Sequence, residues 1–152
     1  MRPGTVTWIG LRPSRGRPLL QVPQAELDVA EGLIGDHYRG RINQARQVTL
    51  IPTEHIAAIA AYLGLDPIDP TTLRRNFVVS GINLRALKGR HFRLGSALCR
   101  HTGECSPCSR MEDTLGPGGY NAVRGHGGIT ARIIGNGQVS LGDTIERVDV
   151  VE

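Results

Sequence analysis

Cys105 and Cys108 stand at Cys-x-x-Cys spacing inside His101-Thr102-Gly103-Glu104-Cys105-Ser106-Pro107-Cys108-Ser109-Arg110-Met111-Glu112-Asp113. The second cysteine follows a proline and precedes a short helical pattern. A helix start offers unpaired N–H groups and the positive end of a dipole, which favour a thiolate over a thiol. Nucleophilic or metal-binding sulfur is therefore the chemistry this stretch offers. Four readings stay open on the residues alone. A structural zinc site would recruit His101, Cys105, Cys108 and His126, although no second paired knuckle accompanies them. A dithiol redox pair would need a βαβ setting. A single reactive or ligating sulfur would be Cys108, and the fourth reading is a purely structural pair. Outside the stretch, Asp36-His37 sets a carboxylate beside an imidazole in a glycine-bracketed turn, where ligand orientation competes with local capping. Cys99 reads as core filler.

The elements that must position these groups are short. Thr5 to Gly10 reads as a strand and Leu19 to Val22 as its hairpin return. Ala25 to Val29 alternates like a half-exposed strand. Arg46 to Ile51 is a strand stopped by Pro52. Thr53 is the expected N-cap of a helix over 54–63, with Gly64 as its stop, Ile56, Ile59, Ala60 and Leu63 as its buried face and His55 on its surface. A loop over 66–73 holds a single helical turn. Arg74-Arg75-Asn76 then enters the strand Phe77-Val78-Val79-Ser80, and alternation predicts that Arg74 and Asn76 share one face while Arg75 takes the other. Strands over 91–95 and 97–101 precede the cysteines. A helical turn over 120–123 leads into Arg124-Gly125-His126-Gly127-Gly128. Ile129 to Ile134 is a strand, and Asn136-Gly137 signals a hairpin to a partner over 138–141. Thr144 to Val150 has clean period-two alternation. Many short strands with one substantial helix predict a mainly β, barrel-like or strongly curved sheet in a single domain over 1–152.

Composition narrows the classes. The chain has 152 residues, 39% hydrophobic and 21% charged, as in ordinary globular proteins. Its 20 glycines and 9 prolines favour turns over a helical bundle. No apolar run is long enough to span a bilayer. Three cysteines and no signal-peptide pattern predict a reducing cytoplasm. The net charge is +4, and Lys88 is the only lysine. Arginine forks suit carboxylate, phosphate and other oxyanions, although a genome-wide composition bias would give the same total. The arginines are scattered, with no basic stripe interleaved with aromatics and no recognition helix, which argues against nucleic acid.

Six blocks taken together resemble a MOSC domain, the family named for the C-terminal domain of molybdenum cofactor sulfurase. They are 32–37 (Gly-Leu-Ile-Gly-Asp-His), 46–51 (Arg-Gln-Val-Thr-Leu-Ile), 74–81 (Arg-Arg-Asn-Phe-Val-Val-Ser-Gly), 105–108 (Cys-Ser-Pro-Cys), 125–132 (Gly-His-Gly-Gly-Ile-Thr-Ala-Arg) and 139–143 (Val-Ser-Leu-Gly-Asp). Each occurs widely by chance, whereas six in register over about 32–143 point to the family. The resemblance implies a β-barrel-like fold with a few short helices and a pocket associated with molybdenum cofactor or mobilised sulfur. It implies that Cys108 carries a persulfide or ligates molybdenum. Cys105, absent from many relatives, would resolve a persulfide or merely pack.

A thiolate is a reasonable extra ligand for molybdenum that already has sulfur ligands in its pterin cofactor. Arg46, Arg74, Arg75, Asn76 and Arg132, with His126 and the close-approach glycines Gly127 and Gly128, are the candidates for holding the phosphate-bearing molybdopterin. Asp36 and His37 are candidates for orienting the pocket or supplying protons. No nucleotide cofactor is expected. Two functional classes follow: a sulfur carrier or cofactor binder, and a small molybdenum reductase of N-hydroxylated compounds. Reductases of the family usually bring an extra β-barrel module or electron-transfer domain. None is recognisable here, so the carrier or binder ranks first. A cysteine desulfurase-type sulfur donor, a molybdoenzyme or an electron donor would be the partner.

Overall fold

The computed structural model describes residues 1–14, 16–37, 45–65, 67–105 and 110–149. Seven strands close into a barrel: β1 (Gly4–Leu11), β5 (Val48–Pro52), β6 (Phe77–Ser80), β7 (His91–Leu94), β8 (Ala97–Glu104), β9 (Ile129–Gly135) and β11 (Thr144–Val148). Their order around the barrel is β11-β7-β8-β9-β5-β6-β1, and a β1–β11 pairing shuts the ring, with Gly4 opposite Ile145. The short β2 (Leu20–Gln21) extends β1 antiparallel, as the expected hairpin return requires. A separate small sheet has the order β10 (Gly137–Ser140), β3 (Gln24–Asp28), β4 (Gly32–Leu33). The mainly β expectation holds.

Pleating sorts the core into two compartments. Inward positions such as Ile9, Leu50, Phe77, Phe92, Ile133 and Ile145 fill the barrel. Outward positions on β1, β5 and β6, namely Trp8, Ile51 and Val78, pack beneath helices through Ile59, Leu73, Met111 and Val123. β5 is buried on both faces, which suits its largely apolar sequence, and its one polar side chain, Thr49, donates to Asn76 Oδ1. Among the described residues only β5 and β6 pair in parallel, and a parallel pair needs a crossover. That crossover carries α1 (Thr53–Leu63) and α2 (Pro70–Leu73) across the outside of the barrel. α3 (Arg110–Leu115) and α4 (Gly119–Val123) join them. No helix among the described residues is long and apolar enough to cross a membrane.

Local expectations meet three corrections. Pro52, not Thr53, is the N-cap of α1, and no side chain caps the helix start, whereas Gly64 does close its end in the left-handed region. Arg74 does not belong to a strand: it ends α2 at φ 58, so Arg74, Arg75 and Asn76 follow no strand alternation. The Asn136-Gly137 turn does not fold β10 onto β9. β10 pairs with β3, and Asn136 spends its side chain on that crossing, accepting from the Val29 N–H at 2.7 Å and donating to Asp28 at 3.1 Å. The hairpin signal failed because a long-range strand partner outcompeted the local one.

Cys99 is fully buried in the barrel, and burial pushes its thiol up to about 12. It stays protonated at any physiological pH. In the native protein Cys99 is expected to resist an alkylating reagent and to react only on unfolding, as read by peptide mass spectrometry across a urea series.

Candidate functional site

β8 runs three residues beyond its expected end and delivers Cys105 immediately after Glu104. The Cys105 N–H donates to the Gly128 carbonyl at 2.9 Å. A Cβ on Gly127 would sit 2.2 Å from the Cys105 carbonyl oxygen, and one on Gly128, at φ +88, would sit 1.9 Å from that of Leu50. Backbone-to-backbone approach of this kind admits no side chain. Arg75 locks the loop from the other side, donating through Nε to Gly127 at 2.8 Å and through Nη1 to Leu73 at 2.8 Å. Arg75 is therefore a buried brace beneath the glycine loop.

The Cys105 side chain is buried, unbridged, and receives an Arg46 guanidinium N–H at 3.8 Å from its sulfur. It forms part of the wall of a cavity of about 240 Å³, together with Pro52, His55, Arg85, Arg124 and Gly127. Arg85 and Glu104 also border a larger groove of about 810 Å³, which presents Lys88, Arg100 and Arg132. Cavity and groove therefore adjoin, and among the described residues cations outnumber carboxylates around both. Arg85 and Glu104 pair across their boundary at 3.3 Å, both exposed. Sequence reasoning missed Arg85, Arg100 and Arg124, and it placed His55 on the surface; the structure turns His55 half-buried into the cavity wall. The one available signal was its position in the first turn of a helix leaving a barrel strand.

Other expected site residues lie in a second cluster. Asp36 is buried, and its Oδ1 accepts from the Arg12 N–H at 2.7 Å and Nε at 3.1 Å and from Asn76 Nδ2 at 3.1 Å, while Oδ2 accepts from Arg12 Nη2 at 2.9 Å. Asn76 also donates to Gly10 and accepts from the Thr49 N–H, tying β1, β5 and the turn at Asp36 together. His37 is exposed, with Nδ1 3.1 Å from the Arg12 carbonyl. Arg74 donates to the Arg17 carbonyl at 2.7 Å. Burial lowers the Arg74 guanidinium from its ordinary value, as do the nearby Arg12 and Arg110, with Asp36 opposing. It stays charged nonetheless. Thus Arg46, Gly127 and Gly128 meet Cys105, Arg132 belongs to the groove, and Asp36, His37, Arg74 and Asn76 form the separate Arg12-centred cluster.

Cys108, the residue of most interest, lies outside the described residues. Among the described residues no three His, Cys, Asp or Glu groups could hold a metal ion together, so His101, Cys105 and His126 form no ligand set. His101 accepts from the Gly89 N–H at 3.4 Å, and His126 meets the Ala122 carbonyl at 3.2 Å through Nδ1.

A closed barrel thus carries a free cysteine in the wall of a cavity rimmed by Arg85 and Arg124. The MOSC domain profile matches residues 35–146, and the chain belongs to that family. Solved structures with the same fold include the YuaD protein of Bacillus subtilis, with a TM-score of 0.83 and 23% identity over 95% of this chain and 94% of that one. YiiM of Escherichia coli superposes with a TM-score of 0.72 and 22% identity over 97% and 71% of the two chains. YiiM of Geobacillus stearothermophilus gives 0.76 and 16% over 96% and 75%. No curated protein matches the chain in sequence.

Two outcomes are expected. Gly127→Ala should force Cys105 and the glycine loop apart, lowering stability by about 1–3 kcal/mol in urea unfolding and accelerating Cys105 alkylation. His55 and His101 are both lowered from 6.5, chiefly by burial. The unfolded chain then binds more protons than the folded one just below that value, so their contribution is complete above about pH 6.5 and is lost as pH falls towards the folded values. Urea midpoints should drop between pH 7.5 and 5.5, and less steeply in His101→Gln.

Proposed function

We propose that the protein is a sulfur carrier or molybdenum-cofactor binder in which Cys108 holds a sulfane sulfur or ligates molybdenum. The observation that carries this reading is the Cys105 sulfur, three residues away in sequence, set against the Arg46 guanidinium at the wall of a cationic cavity. In the carrier reading, a Cys108 thiolate attacks the outer sulfur of a donor persulfide and the donor thiolate leaves. Cys105 can then attack the inner sulfur of the Cys108 persulfide. A Cys105–Cys108 disulfide forms and the outer sulfur departs as hydrosulfide, so electrons balance within the site. A cysteine desulfurase-type donor fits the first step.

The residues present also suit the molybdenum cofactor. Its phosphate-bearing tail calls for cations with little competing carboxylate, and Arg85, Lys88, Arg100, Arg124 and Arg132 supply them along cavity and groove. The groove, at about 810 Å³, has the size of an ordinary small-molecule site, roughly 300–1,000 Å³. When bound, the cofactor supplies redox chemistry at molybdenum, and the chain's own residues bind and orient it. In that case a reductase acting on N-hydroxylated compounds, with a separate electron donor, is the second reading. The cytoplasm, where thiols stay reduced, is the proposed setting.

Mass spectrometry and metal analysis of freshly purified protein test this. Extra sulfur on Cys108, lost in Cys108→Ser and retained in Cys105→Ser, is the expected result for a carrier. Stoichiometric molybdenum with pterin is expected for a cofactor binder. Tightly held zinc that depends on both cysteines would sink both readings.

A further inference from the structure

At the start of α1, on the wall of the Cys105 cavity, one buried nitrogen has no partner among the described residues. His55 Nδ1 is shut off from solvent and has no hydrogen-bond partner among the described residues. Buried polar atoms are nearly always paired, so an orphan of this kind calls for a cause. Nε2 of the same ring has no partner among the described residues either but is not shut off, and His55 lines the Cys105 cavity with Arg85 and Arg124 as well as a neighbouring pocket with Glu54 and Asn83. Its neighbour is His126, edge-to-face at 5.2 Å and 89°.

A neutral imidazole has one N–H and one bare nitrogen. With the proton on Nε2, the orphan Nδ1 is only a lone pair. With the proton on Nδ1, a donor is buried facing no acceptor. An imidazolium would bury that donor and a charge as well. The surroundings press the same way. Arg85 and His126 face the ring from the turn over 84–87 and from the loop after α4, and Arg124 and Tyr120 complete the rim. The uncapped first turn of α1 adds the positive end of its dipole. Of the carboxylates, Glu54 accepts from the Gly81 N–H through Oε2, and Glu104 pairs with Arg85. The imidazole is accordingly lowered from its ordinary value, by burial first, then by His126 and Arg85, with Glu54 opposing.

We propose that His55 is an anion-binding residue of the Cys105 cavity: a neutral imidazole that donates its Nε2–H to a small oxyanion held jointly with Arg85 and Arg124. The arrangement binds an anion without itself becoming charged, so affinity does not depend on protonating the histidine. The ligand class is a tetrahedral oxyanion, either free or as the phosphate end of a larger molecule. The assignment rests on reading this cavity as the ligand site, but not on any sulfur chemistry at Cys108.

The test uses the full chain. Nitrogen-15 spectra at pH 7.5 should show His55 protonated at Nε2 and bare at Nδ1. Sulfate, which stays dianionic from pH 8 to 5.5, is the binding probe. His55→Gln keeps an N–H near the Nε2 position and should bind sulfate within about threefold of wild type, whereas His55→Phe should weaken it about tenfold, the scale of one hydrogen bond to a charged group. Wild type and His55→Gln should share one pH profile. A phosphomonoester that binds more tightly than inorganic phosphate assigns the site to the end of a larger ligand; equal binding assigns it to a free oxyanion. A proton on Nδ1 overturns the proposal. So does unimpaired binding in His55→Phe, a loss in His55→Gln as large as that in His55→Phe, or a tenfold gain on acidification seen in wild type alone. Absence of sulfur on Cys108 would leave each of these results unchanged.

Discussion

The site hangs on a near-collision of backbones. Gly127 lies against Cys105 and Gly128 against Leu50, closer than any residue with a Cβ could come. That contact fixes the end of β8 relative to β5 and to the loop after α4, so the barrel wall and the cysteine move as one body. Arg75 supports the contact by filling carbonyl groups of Gly127 and Leu73 that burial would otherwise leave unpaired. A charged side chain is affordable there because its donors meet backbone acceptors in fixed positions.

Around this fixed point the chain separates two kinds of charge. At the Arg12-centred cluster a buried carboxylate, Asp36, is held by Arg12 and Asn76, so its oxygens serve the fold. Beside Cys105 the balance reverses, and Arg46, Arg85 and Arg124 outnumber Glu104. An excess of cations at a concave surface focuses an attractive field on anions. The helix start at Pro52 adds to that field without adding a side-chain charge.

Much of the barrel was legible in the sequence, because strands such as Thr144 to Val148 and the helix ending at Gly64 announce themselves by period and punctuation. What misled were local signals overruled from a distance. Asn136-Gly137 has the composition of a hairpin, yet β3 claims β10. Arg74 and Asn76 look like alternate strand residues, yet α2 ends between the loop and β6 and breaks the period. The site was legible as a set of motifs and not as a geometry. Arg46, Gly127 and Gly128 meet Cys105, whereas Asp36 and Asn76 belong to a different part of the wall. His55 read as a helix-surface residue, and Arg85 and Arg124 carried no site reading, because a lone histidine or arginine has no periodic mark; only closure of the barrel brings them to one cavity.

Closure has a price in time. The first strand is hydrogen-bonded to the last, Gly4 beside Ile145, and to β6 from mid-chain. Contacts between residues so far apart in sequence must wait for the loop entropy of nearly the whole chain to be overcome, which slows folding. On the ribosome β1 would emerge with its flanking partners unmade, its Val6, Trp8 and Ile9 exposed until β6 and then β11 arrive. The strand that opens the barrel is thus the segment for which a nascent chain most needs protection from aggregation.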